Sequence, residues 1–126
     1  MEQPVVAFAT DLIFGVKIAS TGKSLGATVY MVRSLEEFRT RLQQGARLAI
    51  IDLNAAGPDP LEAVRAARAA PSAPRTIAYL SHVQTDLADA ARQAGAHDVL
   101  PRSAFSARLA EILMPIKMAD SPDAPV

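Results

Sequence analysis

Four consecutive apolar residues, Leu48, Ala49, Ile50 and Ile51, run without a polar break into Asp52. A strand with one wet face alternates polar and apolar side chains, so an unbroken run requires cover on both faces, as in a parallel sheet between two layers of helix. Parallel neighbours in turn need a crossover, usually helical, between consecutive strands. The remainder of the chain supplies that alternation. Val5 to Ala9 reads as a first strand, and Phe14, Ile18 and Leu25 have helical spacing within Leu12 to Gly26. Ala27 to Val32 is β-branched and aromatic, and Ser34 followed by Glu37 is a capping box that opens a second helix ending near Gly45. Asp59-Pro60 places a capping carboxylate before a proline at the first helical position, predicting a helix over Leu61 to Ala70 that is stopped by Pro71 and Pro74. Thr76 to Leu80 then reads as strand, Thr85 to Ala94 as helix with Gly95 beyond its end, Asp98 to Leu100 as strand, and Ser103 to about Lys117 as the last helix. The expected fold is α/β: a flavodoxin-like, doubly wound, five-stranded parallel sheet in a (βα)5 three-layer sandwich.

Composition narrows the chemistry. The chain has 126 residues, 50% hydrophobic and 21% charged, which suits one globular domain with its own core. It has no cysteine, which excludes thiol catalysis, zinc-thiolate sites and iron–sulfur clusters. Thirteen basic and thirteen acidic residues cancel, so no global field draws the chain to nucleic acid or to an anionic membrane. No apolar run approaches the ~20 residues of a membrane helix, and Met1-Glu2-Gln3-Pro4 lacks the start of a signal peptide. The expected location is the cytoplasm, with no direct nucleic-acid or membrane partner expected. Residues 119–126 are expected to be a flexible C-terminal tail beyond a domain over 1–118.

In an open parallel sheet, reactive groups collect beyond the carboxyl ends of the strands. That edge contains Thr10 and Asp11 after the first strand, Asp52 after the third, Ser81 and His82 after the fourth, and Pro101 and Arg102 after the fifth. A carboxylate at the end of a buried apolar run is costly unless solvated, paired or metal-bound. Asp52 therefore has two readings: a nucleophile or metal ligand that shares an ion with Asp11, or a loop cap statically paired with Arg102. Ser81 is either a hydroxyl for a phosphoryl oxygen or an ordinary strand-end residue. His82 reads as a solvent-exposed loop residue, and His97 has no histidine or cysteine partner at metal-ligand spacing.

This constellation resembles the receiver domain of bacterial response regulators, over about Val5 to Ile116. In that family an acidic pair follows strand one, the phosphoacceptor aspartate ends strand three, Thr or Ser ends strand four, and Lys-Pro ends strand five. Gly95-Ala96-His97-Asp98-Val99-Leu100 is similar to the family's Gly-Ala-Asp-Asp-Tyr-Leu run, and Pro60-Leu61-Glu62-Ala63 to its Gly-Leu-Glu-Leu start of helix three. The resemblance implies a receiver-like domain over 1–118 that serves two-component signalling rather than catalysis. Asp52 would be the phosphoacceptor, with Ser81 and Arg102 beside it. Asp11, Asp52 and the backbone carbonyl of Asn54 would hold Mg2+. The implied partners are a histidine kinase or phosphotransferase protein and a downstream protein.

The departures from the family pattern carry their own implications. Thr10 stands in place of one acid, which weakens Mg2+ binding. Arg102 stands in place of the lysine and is not a conservative replacement. Pro101 precedes Arg102 instead of following it, and Val99 replaces the aromatic ring of strand five. The loop after Asp52 reads Leu53 to Pro58 without the usual Met-Pro turn. These changes support a second hypothesis, a pseudo-receiver that binds proteins without phosphorylation. A third, metal-assisted phosphate hydrolysis by Asp11 and Asp52, lacks a nameable base or pocket. Asp86, Asp89, Arg92, Arg108 and Glu111 form either the family's homodimer face or a solvated surface. Finally, Lys17 to Ser24 ends like a phosphate-binding loop but has Lys17 where the first glycine is needed, and it lies late in a helix rather than between strand and helix.

Overall fold

The computed structural model describes residues 3–55, 60–81 and 84–114. The expected tail 119–126, the proposed cap Asp59, His82, and the stretch from Ile116 to Lys117 lie outside the described residues. Five parallel strands, β1 (Val5–Phe8), β2 (Val29–Val32), β3 (Leu48–Asp52), β4 (Arg75–Leu80) and β5 (Asp98–Pro101), form one sheet in the order β2-β1-β3-β4-β5. That order is the flavodoxin-like one, with a topological switch point between β1 and β3. The helices are α1 (Leu12–Ser24), α2 (Leu35–Gln43), α3 (Pro60–Ala69), α4 (Thr85–Ala94), α5 (Arg102–Ala107) and α6 (Leu109–Leu113).

Strand alternation divides the core in two. Val6, Phe8, Ala49, Ile51, Ala78 and Leu80 face α2, α3 and α4, where Phe38, Leu42, Val64 and Ala91 close the layer. Val5, Ala7, Leu48, Ile50, Ile77 and Tyr79 face the other way, onto Phe14 and Ile18 of α1 and Phe105, Leu109 and Leu113 of α5 and α6. β3 is buried along its whole length, as its apolar run requires, and it pairs in register with both β1 and β4.

Local signals act as expected at several ends. The Ser34 side chain accepts the Glu37 N–H at 3.1 Å, and Gly95 closes α4 at φ 125°, a conformation that favours glycine. The phosphate-loop look-alike lies wholly inside α1, which ends at Ser24 with Lys23 in its last turn.

The last helix differs from expectation in start, continuity and length. It begins at Arg102, slackens at Arg108 (φ −102°, ψ 9°) and ends at Leu113. Phe105, Leu109 and Leu113 keep their four-residue spacing across the break, and the Ile112 N–H still bonds the Arg108 carbonyl at 2.9 Å, so both pieces cover one stripe of core. The early end has a local cause: Met114 precedes Pro115, and a residue before proline is pushed out of the α region, here to ψ 125°.

Candidate functional site

Asp52 ends β3 opposite Tyr79 of β4 and is 2% exposed. Its Oδ1 accepts the backbone N–H of Asn54 at 2.9 Å, a local turn that folds the following loop back over the strand end. Asn54 extends this tie with its own side chain. Its Oδ1 accepts the Ser81 N–H at 2.6 Å, and its Nδ2 donates to Gln84 Oε1 at 3.0 Å. The loops after β3 and β4 are thereby joined above Asp52. Gln84, the N-cap residue of α4, makes no side-chain cap bond.

Asp11 and Arg102 meet across the sheet edge. Asp11 is the N-cap of α1: its Oδ1 accepts the Phe14 N–H at 3.1 Å, and its Oδ2 accepts from Arg102 Nη1 at 3.3 Å. The guanidinium lies 5.0 Å from the Phe14 ring centre and 5.9 Å from that of Tyr79. Beneath it, Tyr79 stacks on Phe105 (4.7 Å between centres, 18° between planes), and Phe14 tilts against Tyr79 at 5.0 Å. A cation over aromatic faces in a partly dry site is held by the ring quadrupoles as well as by its carboxylate. Among the described residues, only the Tyr79 hydroxyl and Arg102 Nε are buried side-chain polar atoms without a hydrogen-bond partner.

The electrostatics follow from this layout. Burial raises the Asp52 carboxyl above its ordinary value, opposed by the Asn54 N–H and the charge on Arg102, and assisted by the negative charge of Asp11. Asp11 moves down, chiefly because it accepts the Phe14 N–H, with the Arg102 charge adding to the effect against some desolvation. Tyr79 moves up, chiefly through burial and then through the negative charge of Asp52.

The structure thus brings Asp11 to Arg102, Asp52 to Asn54, and Asn54 to the Ser81 backbone. Ser81 itself is exposed, and no hydrogen bond links its hydroxyl to Asp52 among the described residues. Asn54 takes part through its N–H and side chain. Val99 is buried in the core layer facing α3 and α4. His97 lies at the opposite end of the sheet, where its Nδ1 accepts the Thr76 N–H at 2.9 Å. On the suggested dimer face, Arg92 pairs with Asp89 and Arg108 with Glu111 within their own helical segments. Among the described residues no group of three His, Cys, Asp or Glu side chains could hold a metal ion, and no helix is long and apolar enough to cross a membrane. Sequence reasoning missed Phe14, Tyr79, Phe105 and Gln84 as site residues. The one available signal was strand parity: Ile77 and Tyr79 share the face on which Ile50 and Asp52 lie.

No protein-family model matches the chain, and no curated protein sequence matches it. Solved structures do. A response regulator from Burkholderia pseudomallei, which carries a phosphorylated aspartic acid and a calcium ion, superposes with a TM-score of 0.78 at 14% identity, over 99% of this chain and 76% of that one. A response regulator receiver domain protein from Methanospirillum hungatei gives 0.78 at 13% identity, over 88% of this chain and 90% of that one. A response regulator from Thermotoga maritima gives 0.67 at 19% identity, over 88% and 98%. This chain has the fold of response regulator receiver domains.

Proposed function

We propose that this chain is a receiver-fold signalling module that acts by docking to another protein, with the Asp52 pocket serving as a closed structural centre rather than as a phosphoryl acceptor. The carrying observation is the commitment of Asp11. One of its oxygens caps α1 and the other bonds Arg102, so among the described residues buried Asp52 has no uncommitted carboxylate beside it. Mg2+ demands near-octahedral oxygen ligation and gives up water reluctantly. One carboxylate at 2% exposure, a second already engaged and a guanidinium alongside do not meet that demand. The residues present therefore do not fit the ion that the family resemblance implies.

The surface offers an alternative. Leu12, Ile13 and Val16 on the first turns of α1 are 64%, 86% and 65% exposed, next to Asp11. Large apolar side chains clustered in water favour a protein contact.

A second reading keeps the phosphorelay. It is favoured by the position of Asp52 at the switch-point edge, with Ser81 and Arg102 on neighbouring strand ends. A phosphohistidine on a kinase or phosphotransferase would then pass its phosphoryl group to an Asp52 oxygen, the P–N bond breaking as the P–O bond forms. Backbone-amide NMR with Mg2+ and beryllofluoride, a phosphoryl mimic, separates the two readings. The docking reading expects an unchanged spectrum. Shifts at Asp52, Ser81 and Arg102 that vanish in Asp52→Asn would overturn it and make the phosphoacceptor reading primary.

A further inference from the structure

We infer that the Arg102 guanidinium is the resident cation of this pocket and that it keeps divalent ions out. Arg102 is the first residue of α5, where the backbone dipole disfavours positive charge, so its placement must come from contacts outside its own helix. Those contacts are present. Asp11 Oδ2 accepts from its Nη1 at 3.3 Å, and its guanidinium carbon lies over the Phe14 and Tyr79 rings, 5.0 and 5.9 Å from their centres. A guanidinium remains charged at every accessible pH and spreads that charge over a flat fork. It therefore neutralises carboxylate charge at the sheet edge permanently, whereas a bound ion would do so only when present.

Exclusion follows from the same geometry. A divalent ion between Asp11 and Asp52 would lie against a fixed positive charge in a partly dry site, and it would have to displace the Arg102 bond from Asp11. The aromatic floor resists that displacement, because swinging the side chain outward gives up its contacts with both rings.

The inference rests on the same closed pocket as the docking reading but concerns the cation alone. Mg2+ added without a phosphoryl mimic tests it, and beryllofluoride tests the other, so the two can fail separately. In the wild-type chain, millimolar Mg2+ is expected to leave the amide signals of Asp11, Asp52 and Asn54 in place. Arg102→Gln removes the charge and frees an Asp11 oxygen, and is expected to raise apparent Mg2+ affinity about tenfold or more. The new shifts should disappear when Asp52→Asn is added. Should the Gln variant lose its fold, Arg102→Met carries the test: an unbranched, uncharged side chain can still lie against the rings but neither repels a cation nor holds Asp11, so it too is expected to admit the ion. Mg2+ shifts in the wild type that depend on Asp52 would overturn the inference. A folded Arg102 variant that gains no Mg2+ response would overturn it as well.

Discussion

Replacing Asp52 by asparagine tests the electrostatic account of the pocket most directly. The wild-type carboxyl is 2% exposed, and its hydration is replaced by one backbone donor at 2.9 Å and the nearby charge of Arg102. Burial dominates, so the folded chain holds the proton more tightly than the unfolded chain, whose carboxyl titrates near 3.8. The sign follows from proton counting. Between 3.8 and the raised folded value the native state binds more protons than the unfolded state, so stability falls as pH rises through that window and then stays level. Below 3.8 the carboxyl is neutral in both states, and the penalty is gone.

Asparagine keeps an oxygen for the Asn54 N–H and carries no charge. At neutral pH the variant is expected to be more stable by about 1–3 kcal/mol, the usual cost of a buried polar group whose partners do not replace its hydration. For a chain of 126 residues that corresponds to a rise in Tm of about 4 °C per kcal/mol. The amide also puts an NH2 group in place of one carboxylate oxygen within the field of Arg102, a mismatch that pH does not alter. Urea unfolding of both proteins from pH 3 to 7 separates the two effects. The mismatch displaces the whole difference curve, whereas the charge makes it grow with pH. A difference that stays flat from pH 3 to 7, or shrinks as pH rises, would refute the reasoning, because Arg102 would then have compensated the burial of the carboxylate in full.

Two further substitutions examine the packing, one beneath the site and one at the far end of α1. Tyr79→Phe removes a buried hydroxyl that has no partner among the described residues and keeps the stack on Phe105; a stability gain of about 1–3 kcal/mol is expected in urea titrations, and a loss would reveal a partner for the hydroxyl. Gly22→Ala sets a helix-propensity gain of about 1 kcal/mol against a Cβ that would fall 2.5 Å from Val29 Cγ2. Overpacking costs about 1–3 kcal/mol, so the urea midpoint is expected to fall.

Legibility in the sequence followed the range of the interactions. The capping of α2 by Ser34, which accepts the N–H of its third neighbour, the glycine after α4 and the apolar run of β3 are local, and each reads directly from residue order. Met114-Pro115 was also a readable stop, and the expectation of a helix to about Lys117 ran past it. The placement of Asp11, Asp52, Ser81 and Arg102 at one edge was legible because alternating strand and helix dictates which strand ends lie together. The use each residue makes of that edge was not. Asn54 takes its partners from Ser81 and Gln84, at the two ends of the connection between β4 and α4, and Arg102 takes its aromatic support from α1 and β4, contacts that have no sequence period.

Arg102 where the family resemblance leads one to expect lysine and Asp11 without an acidic neighbour are separate oddities in the sequence. In space they form one arrangement. A guanidinium needs a flat support and an anion to hold it; Phe14 and Tyr79 provide the first, and Asp11 the second. Asp11 is also the cap of α1, so the same carboxylate fixes both the cation and the first helical turn. Leu12 and Ile13, the exposed apolar residues of that turn, follow it directly. A partner that buries them and shifts the turn must alter the separation of Asp11 and Arg102, and by linkage any change in that pair must alter the affinity for the partner. A ligand can move such an equilibrium only by its differential affinity for the two arrangements. A partner that left the first turn of α1 as it is would therefore leave the Asp11–Arg102 bridge unchanged as well.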